Sequence, residues 1–319
     1  MRPGESRIHH VAGLRLNVRQ AGDGPPVLLI NGLGAHTSMW DAVERNLTGM
    51  RLISYDSPGV GRSPSKYPPP SIKRLADVLA ELLDQLALPQ VDVLGYSFGG
   101  AVAQQLAYRY PDRVRRLVLT ATLPGWGSVL GEPKSIALAY NPLRYLSRSV
   151  YESTVGDLAG GQARTSAAFR AQQSFYRLAQ RPKLLAYYCQ IATLTTWSSL
   201  PWLGEIAVPT LVVTGDDDPL VPPANSYLLA QRIKWARLLV VPDEGHLLLL
   251  DEHGQAHEPL REFFLSPKLD DSTTWNRAAV IDKDTSIAAA RQRGIGAAPW
   301  AQLSTFSRRR LLRSRGRGW

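Results

Sequence analysis

The 319-residue chain is 44% hydrophobic and 20% charged, a balance that supplies a sizeable core and excludes an intrinsically disordered protein. Its single cysteine, Cys189, excludes an internal disulfide framework and is expected as a buried apolar filler. The formal charge of +10 gathers at one end, because residues 267–319 hold eleven Lys/Arg against four Asp. The basic balance therefore describes a tail and says little about the body.

No apolar run nears the ~20 residues that a membrane-spanning helix needs. The first ten residues lack the apolar stretch of a secretory signal, so a soluble, cytoplasmic protein is expected.

Residues 6–10 and 14–19 read as a leading hairpin across Val11-Ala12-Gly13. Val27–Ile30 and Leu52–Tyr55 are continuous apolar runs, the pattern of strands covered on both faces. Ile72, Leu75, Ala76, Leu79, Leu83 and Leu86 recur at helical spacing and predict an amphipathic helix over 72–87, stopped by Leu88-Pro89. Val91–Leu94 reads as a strand and Phe98–Tyr110 as a helix ending before Pro111. Val114–Leu119, Thr210–Thr214 and Arg237–Val241 complete the apolar strands.

Strands alternating with helices predict an α/β fold with a mostly parallel, doubly wound sheet. Ligand sites in such sheets gather where the strands end. The rhythm breaks between residues 122 and 206, which are rich in aromatics and show helical patches without a clear strand. The expected organisation is a core of residues 1–121 and 207–265, a helical lid inserted as 122–206, and a basic, poorly ordered tail over 266–319.

The strongest motif is Gly95-Tyr96-Ser97-Phe98-Gly99, preceded by a strand and followed by a helix. Turning from strand to helix within one residue forces Ser97 into a strained conformation and projects its hydroxyl above the sheet. The plainer reading of the same residues is a glycine-rich turn. A serine hydroxyl needs a base, and His246 in Pro242-Asp-Glu-Gly-His246 follows the last apolar strand. His9 and His10 lie in the leading strands, His36 follows the first sheet loop, and His253 and His257 are expected as solvated.

An acid must orient that base. Gly215-Asp-Asp-Asp218-Pro-Leu-Val-Pro222 offers three, of which Asp218 fits a G-x-x-D-x-x-V-P spacing. Asp216 and Asp217 are expected as solvated residues or as partners of nearby N–H groups, and no metal site is expected there. Backbone N–H groups of Phe98 and of Leu33, in Asn31-Gly-Leu-Gly34, are the expected oxyanion donors. Asp56-Ser-Pro-Gly-Val-Gly-Arg-Ser63 lacks the Gly-Lys-Ser/Thr of a phosphate cradle and reads as a structural loop bordering the site.

Together these motifs resemble the α/β-hydrolase superfamily over residues 8–265. A narrower resemblance is carried by Asn31-Gly-Leu-Gly-Ala35, Asp56-Ser-Pro-Gly-Val-Gly61, Ala101-Val-Ala-Gln-Gln105, Gly215–Pro222 and Glu244-Gly-His246. With Asn141-Pro-Leu-Arg-Tyr145 and Trp197-Ser-Ser-Leu-Pro-Trp202, these look like the intracellular medium-chain-length poly(3-hydroxyalkanoate) depolymerases. The resemblance implies catalytic Ser97, Asp218 and His246, no cofactor, and an aliphatic polyester substrate met at a granule surface. Tyr96 and Phe98 depart from that family, which carries a small apolar residue and a tryptophan beside the nucleophile. The arginine-rich tail departs from it too.

The leading expectation is thus a serine hydrolase that depolymerises polyester through an acyl-enzyme on Ser97. The alternatives are a small-molecule carboxylesterase, lactonase or C–C bond hydrolase, and, from another class, a non-catalytic ligand-binding homologue. The arginines of the tail have phosphate affinity in principle, but no nucleic-acid motif accompanies them.

Overall fold

The computed structural model describes residues 4–282. Strands β1 (Glu5–Val11) and β2 (Leu14–Ala21) form the leading hairpin, and Ala12 and Gly13 at its tip both take positive φ, 49° and 76°. That is the left-handed conformation a two-residue hairpin turn requires. Next come β3 (Pro26–Ile30), α1 (Asp41–Asn46), β4 (Arg51–Tyr55), α2 (Ile72–Gln85), β5 (Val91–Tyr96), α3 (Phe98–Arg109) and β6 (Val114–Thr120). After a helical segment, β7 (Thr210–Gly215) and β8 (Ala236–Val241) extend the same sheet. The strand order is β1-β2-β4-β3-β5-β6-β7-β8, antiparallel at β1/β2 and β2/β4 and parallel elsewhere.

The unbroken apolar runs are explained by cover on both faces. Successive strand residues point to opposite sides, so Leu28, Ile30 and Val212 join one core with residues of α2 and α3, while Val27, Leu29, Leu211 and Val213 join the other. Helix α2 begins where Ser71 accepts a hydrogen bond from the Arg74 N–H at 3.1 Å. It buries Ile72, Leu75, Ala76, Leu79 and Leu83, the stripe that the spacing predicts.

Between β6 and β7 lie α4 (Pro133–Tyr140), α5 (Arg148–Ala159), α6 (Gln162–Thr165), α7 (Ala167–Ala179) and α8 (Leu184–Thr195). The two ends of this segment meet at an isolated bridge, where the Trp126 N–H donates to the Trp197 carbonyl at 2.7 Å. Two glutamines of α3 anchor its exit: Gln105 accepts from Trp197 Nε1 at 2.8 Å and Gln104 from the Ser199 hydroxyl at 2.7 Å. Tyr151, Val155, Ala159, Ala163 and Phe169 pack against Ala35, Met39, Leu247 and Leu250, which seats α5–α7 over the loops at the strand ends.

The expectation of a poorly ordered tail from residue 266 is corrected for residues 266–282. After α9 (Pro223–Arg232) and α10 (His257–Leu265), a short helix α11 (Thr273–Arg277) packs on the body. Trp275 is 6% exposed and stacks on Phe263 with ring centroids 5.9 Å apart. The Glu262 carboxylate accepts from the Ser266 and Ser272 hydroxyls and from the N–H groups of Thr273 and Thr274. Ala279 then bridges to Leu238 at the edge of the sheet. A run of Asp, Ser and Thr reads as loop by composition, but Ser272 is an N-cap that accepts from the Trp275 N–H at 3.0 Å. The arginine cluster of the tail lies outside the described residues.

Candidate active site

Strand β5 runs into α3 through Ser97 alone, at φ 54° and ψ −120°. Only glycine fits at the flanking positions. A Cβ on Gly95 would stand 2.5 Å from the Ala103 Cβ, and one on Gly99 would stand 2.0 Å from the Ile30 carbonyl oxygen. The strained residue is fixed from behind, since its carbonyl accepts from the Thr122 hydroxyl at 2.7 Å and its N–H donates to the Thr120 carbonyl at 2.9 Å. A non-glycine residue in this region costs on the order of 1–3 kcal/mol, which the packed strand and helix must offset.

The structure brings Ser97, His246 and Asp218 together from three separate strand ends. His246 Nε2 lies 3.0 Å from Ser97 Oγ, and His246 Nδ1 lies 2.8 Å from Asp218 Oδ2. The second Asp218 oxygen accepts from the N–H groups of Leu220 and Val221 at 3.0 and 2.8 Å. With Nδ1–H donating to this buried carboxylate, the Nε2 lone pair faces the serine hydroxyl.

The neighbouring aspartates face elsewhere. Asp217 accepts from the Gly161 N–H at 2.7 Å and pairs with Arg164, and Asp216 accepts from the Asp243 N–H at 2.8 Å. Among the described residues no cluster of His, Cys, Asp and Glu is arranged to hold a metal.

Leu33 and Phe98 line the same cavity as Ser97 and His246. Phe98 is the first residue of α3, so its N–H has no acceptor within the helix. The loop carrying Leu33 is held by Gln190 of α8, whose Oε1 accepts from the Gly34 N–H at 2.9 Å. The cavity measures about 520 Å³ and is walled mainly by apolar side chains, among them Val155, Leu158, Ile191 and Leu194. Trp126, Leu130 and Tyr140 line it while remaining largely exposed.

The other singled-out residues serve the scaffold. Asp56 is fully buried and accepts from the Thr37 N–H at 2.7 Å, Asn17 Nδ2 at 2.9 Å and the Arg62 N–H at 2.9 Å, tying strand β2 to the segments that follow β3 and β4. His257 is buried and bonded to the Asp251 carbonyl, against the expectation of a solvated side chain, and burial lowers its pKa. Cys189 is half-buried on α8 and not the buried filler expected.

Sequence reasoning missed three residues near the site. The Tyr96 hydroxyl donates to the His246 carbonyl at 3.0 Å, and burial pushes its phenol above the ordinary range. Arg144 and Arg177 are buried and line the cavity. In the sequence Arg144 lies within the run Asn141-Pro-Leu-Arg-Tyr145 and Arg177 in a stretch rich in aromatics, and nothing local marks either as a cavity residue.

The profile of the alpha/beta hydrolase fold matches residues 25–199 and 185–253. A poly(3-hydroxyalkanoate) depolymerase of Ectopseudomonas oleovorans is 39% identical over 241 residues, covering 75% of this chain and 84% of that protein. A 2-hydroxymuconate semialdehyde hydrolase of Pseudomonas putida is 32% identical over 271 residues, 80% of this chain and 92% of that protein. Among solved structures, the enol-lactonase from Burkholderia xenovorans superposes with a TM-score of 0.69 at 24% identity, over 81% of this chain and 99% of that one.

Proposed function

The chain belongs to the alpha/beta hydrolase fold family, and on that premise we propose that it is a serine hydrolase of carboxylic esters that depolymerises medium-chain poly(3-hydroxyalkanoate). The observation that carries the reading is the relay from Ser97 through His246 to Asp218, at 3.0 and 2.8 Å, on the wall of an apolar cavity.

In this reading Ser97 Oγ attacks the ester carbonyl as His246 Nε2 takes its proton. Asp218 holds the imidazole in the useful tautomer and stabilises its charged form. The N–H groups of Leu33 and Phe98 receive the oxyanion. His246 then protonates the departing alkoxide, and water, deprotonated by the same imidazole, releases the acid from Ser97.

A polymer substrate is favoured over a small ester by two observations. The 39% identical relative bears the depolymerase name. In addition, Trp126, Leu130, Tyr140, Leu143, Leu146 and Phe175 are exposed on or beside the helical segment, an apolar surface suited to a greasy granule. That segment acts as the lid. No helix among the described residues is long and apolar enough to cross a membrane. In this reading the contact with a granule is peripheral and is made in the cytoplasm.

The second reading is a small-molecule esterase, lactonase or C–C bond hydrolase, which the 2-hydroxymuconate semialdehyde hydrolase relative favours. Suspensions of medium-chain and short-chain polyester decide between them. Clearing of the former by wild-type protein and not by Ser97→Ala is expected. Turnover of soluble esters with neither suspension cleared favours the second reading.

A further inference from the structure

Two arginines inside the helical segment face the same cavity as Ser97, and neither is neutralised by the protein. Arg177, on α7, is 9% exposed and donates to the Leu33 carbonyl at 3.3 Å, while its Nε has no hydrogen-bond partner. Arg144, which precedes α5, is 7% exposed and bonds Tyr145 Oη at 3.0 Å, the Tyr187 hydroxyl and the Ala139 carbonyl. Its Nε is also without a partner. Among the described residues neither arginine forms an ion pair with a carboxylate.

A guanidinium stays charged at any pH the protein meets, and a buried charge without a counter-ion is among the costliest arrangements in a protein interior. The surrounding tyrosines do not supply the missing charge. Burial pushes the phenols of Tyr151 and Tyr187 above their ordinary range, so both are neutral at pH 7. The ring faces of Tyr145 and Tyr187, 4.6 and 5.6 Å from the Arg144 guanidinium, offer only a partial offset. Asp218 is committed to His246 and two N–H groups, and Asp56 to Asn17, Thr37 and Arg62.

Two cations set in an apolar cavity call for an anion from outside. The contact of Arg177 with the Leu33 carbonyl puts it on the loop that also presents the Leu33 N–H. We propose that Arg177, aided by Arg144, forms a carboxylate subsite inside the cavity, so that the preferred substrates are oligoesters of hydroxyacids that keep a free carboxylate end. Which bond is cut rests on the serine-hydrolase reading; the binding of the carboxylate does not. The ester next to the carboxyl end is then the one presented to Ser97. Its carbonyl C–O bond breaks, the alkoxide takes a proton from His246, and a monomeric hydroxyacid leaves. The enzyme shortens chains from that end, whereas an interior ester bond places no charge beside the arginines.

The test is calorimetric titration of Ser97→Ala protein, which cannot turn over, with 3-hydroxyoctanoate and with its methyl ester. The anion is expected to bind at least tenfold more tightly. Arg177→Gln should remove most of that preference, and Arg177→Lys should keep part of it, with near-ultraviolet circular dichroism checking each fold. Equal binding of acid and ester, or an unchanged preference in folded Arg177→Gln protein, overturns the subsite. If Arg177→Gln does not fold, Arg144→Gln and the acid-to-ester ratio in the Ser97→Ala background decide the same question. With wild-type protein, a hydroxyoctanoate dimer should then exceed its methyl-capped form in kcat/KM by a similar factor. Tight anion binding by a protein that hydrolyses no ester would overturn the hydrolase reading and uphold the subsite.

Discussion

The Tyr96 hydroxyl donates to the His246 main-chain carbonyl at 3.0 Å, and the two rings lie 5.5 Å apart. The residue before the candidate nucleophile thus clamps the loop that carries the candidate base. The same loop is held from the other side, where the His246 N–H donates to the Ala159 carbonyl at 2.6 Å. Tyr96→Phe keeps the ring and removes one bond, leaving a buried carbonyl unpaired at a cost of about 1–3 kcal/mol. We expect the melting temperature to fall by roughly 2–12 °C and kcat by up to about tenfold, with KM little changed. A rise in KM alone would mean that Tyr96 shapes the cavity and does not position His246.

Ser97→Ala and His246→Ala should each abolish hydrolysis of a p-nitrophenyl ester, with losses on the order of a million-fold. Fluorophosphonate should label Ser97 in the wild type and nothing in Ser97→Ala. The three aspartates separate cleanly. Asp218→Asn should lose about 10⁴-fold in kcat, because the wrong tautomer of His246 is favoured. Asp217→Asn breaks contacts to Arg164 and Gly161 and should act on stability far more than on turnover. Greater kinetic damage from Asp217→Asn would place the orienting acid one residue earlier.

What is legible in the sequence follows from how local the signal is. A strand covered on both faces must be apolar throughout, so Val27–Ile30 and Thr210–Thr214 declare themselves, and a strand–Gly-x-Ser-x-Gly–helix run has few other uses. Asp218 and His246 are legible because each follows a strand end in the order Ser, Asp, His. Tyr96, Arg144 and Arg177 are not legible in this way. Their significance arises from partners 43 to 150 residues away, such as Tyr187 for Arg144 and His246 for Tyr96. The ordered stretch 266–282 is hidden because Glu262, which organises it, lies in the preceding helix.

That stretch should contribute to stability. Trp275 stacks on Phe263 and lies 4.9 Å beneath the Arg237 guanidinium. Trp275→Ala should therefore cost about 3 kcal/mol and lower the melting temperature by roughly 6–12 °C. Burial works to raise the Glu262 carboxyl, but hydrogen bonds from Thr274, Ser272 and Ser266 outweigh it and bring it down to about 2. Glu262→Gln should destabilise in the same direction at pH 7. Because a depressed acid loses its contribution as pH falls from its unfolded value towards its folded one, the variant and wild type should converge between pH 4.5 and 2. Unchanged melting in Trp275→Ala would detach residues 266–282 from the body.

Glu244 runs the other way. Burial, with a smaller part from Asp251, raises its carboxyl to about 7 from 4.5. The folded protein then binds more protons than the unfolded chain between those values, so stability falls as pH rises from 4.5 through 7. Glu244→Gln removes that dependence. Relative to wild type it should be equal or weaker at pH 4.5 and stronger at pH 8, by about 1 kcal/mol after solvent screening. Urea midpoints at the two pH values measure it, and parallel curves for the two proteins would assign the buried charge elsewhere.

Acyl-chain preference tests the substrate class, because the catalytic apparatus is common to depolymerases and small esterases. The walls formed by Val155, Leu158, Ile191 and Leu194 are apolar, and the cavity of about 520 Å³ exceeds what an acetyl group fills. Each methylene buried there contributes roughly 0.8 kcal/mol, or about fourfold in binding. Binding realised only in the transition state raises kcat, binding shared equally with the ground state lowers KM, and either raises kcat/KM below the diffusional limit. p-Nitrophenyl octanoate should therefore exceed the acetate in kcat/KM by at least an order of magnitude. Leu158→Trp, which narrows the cavity without touching Ser97 or His246, should shift the optimum towards shorter chains. A wild-type preference for acetate would mean that the cavity accepts chains without gripping them, and would move the substrate from polyester to a small ester.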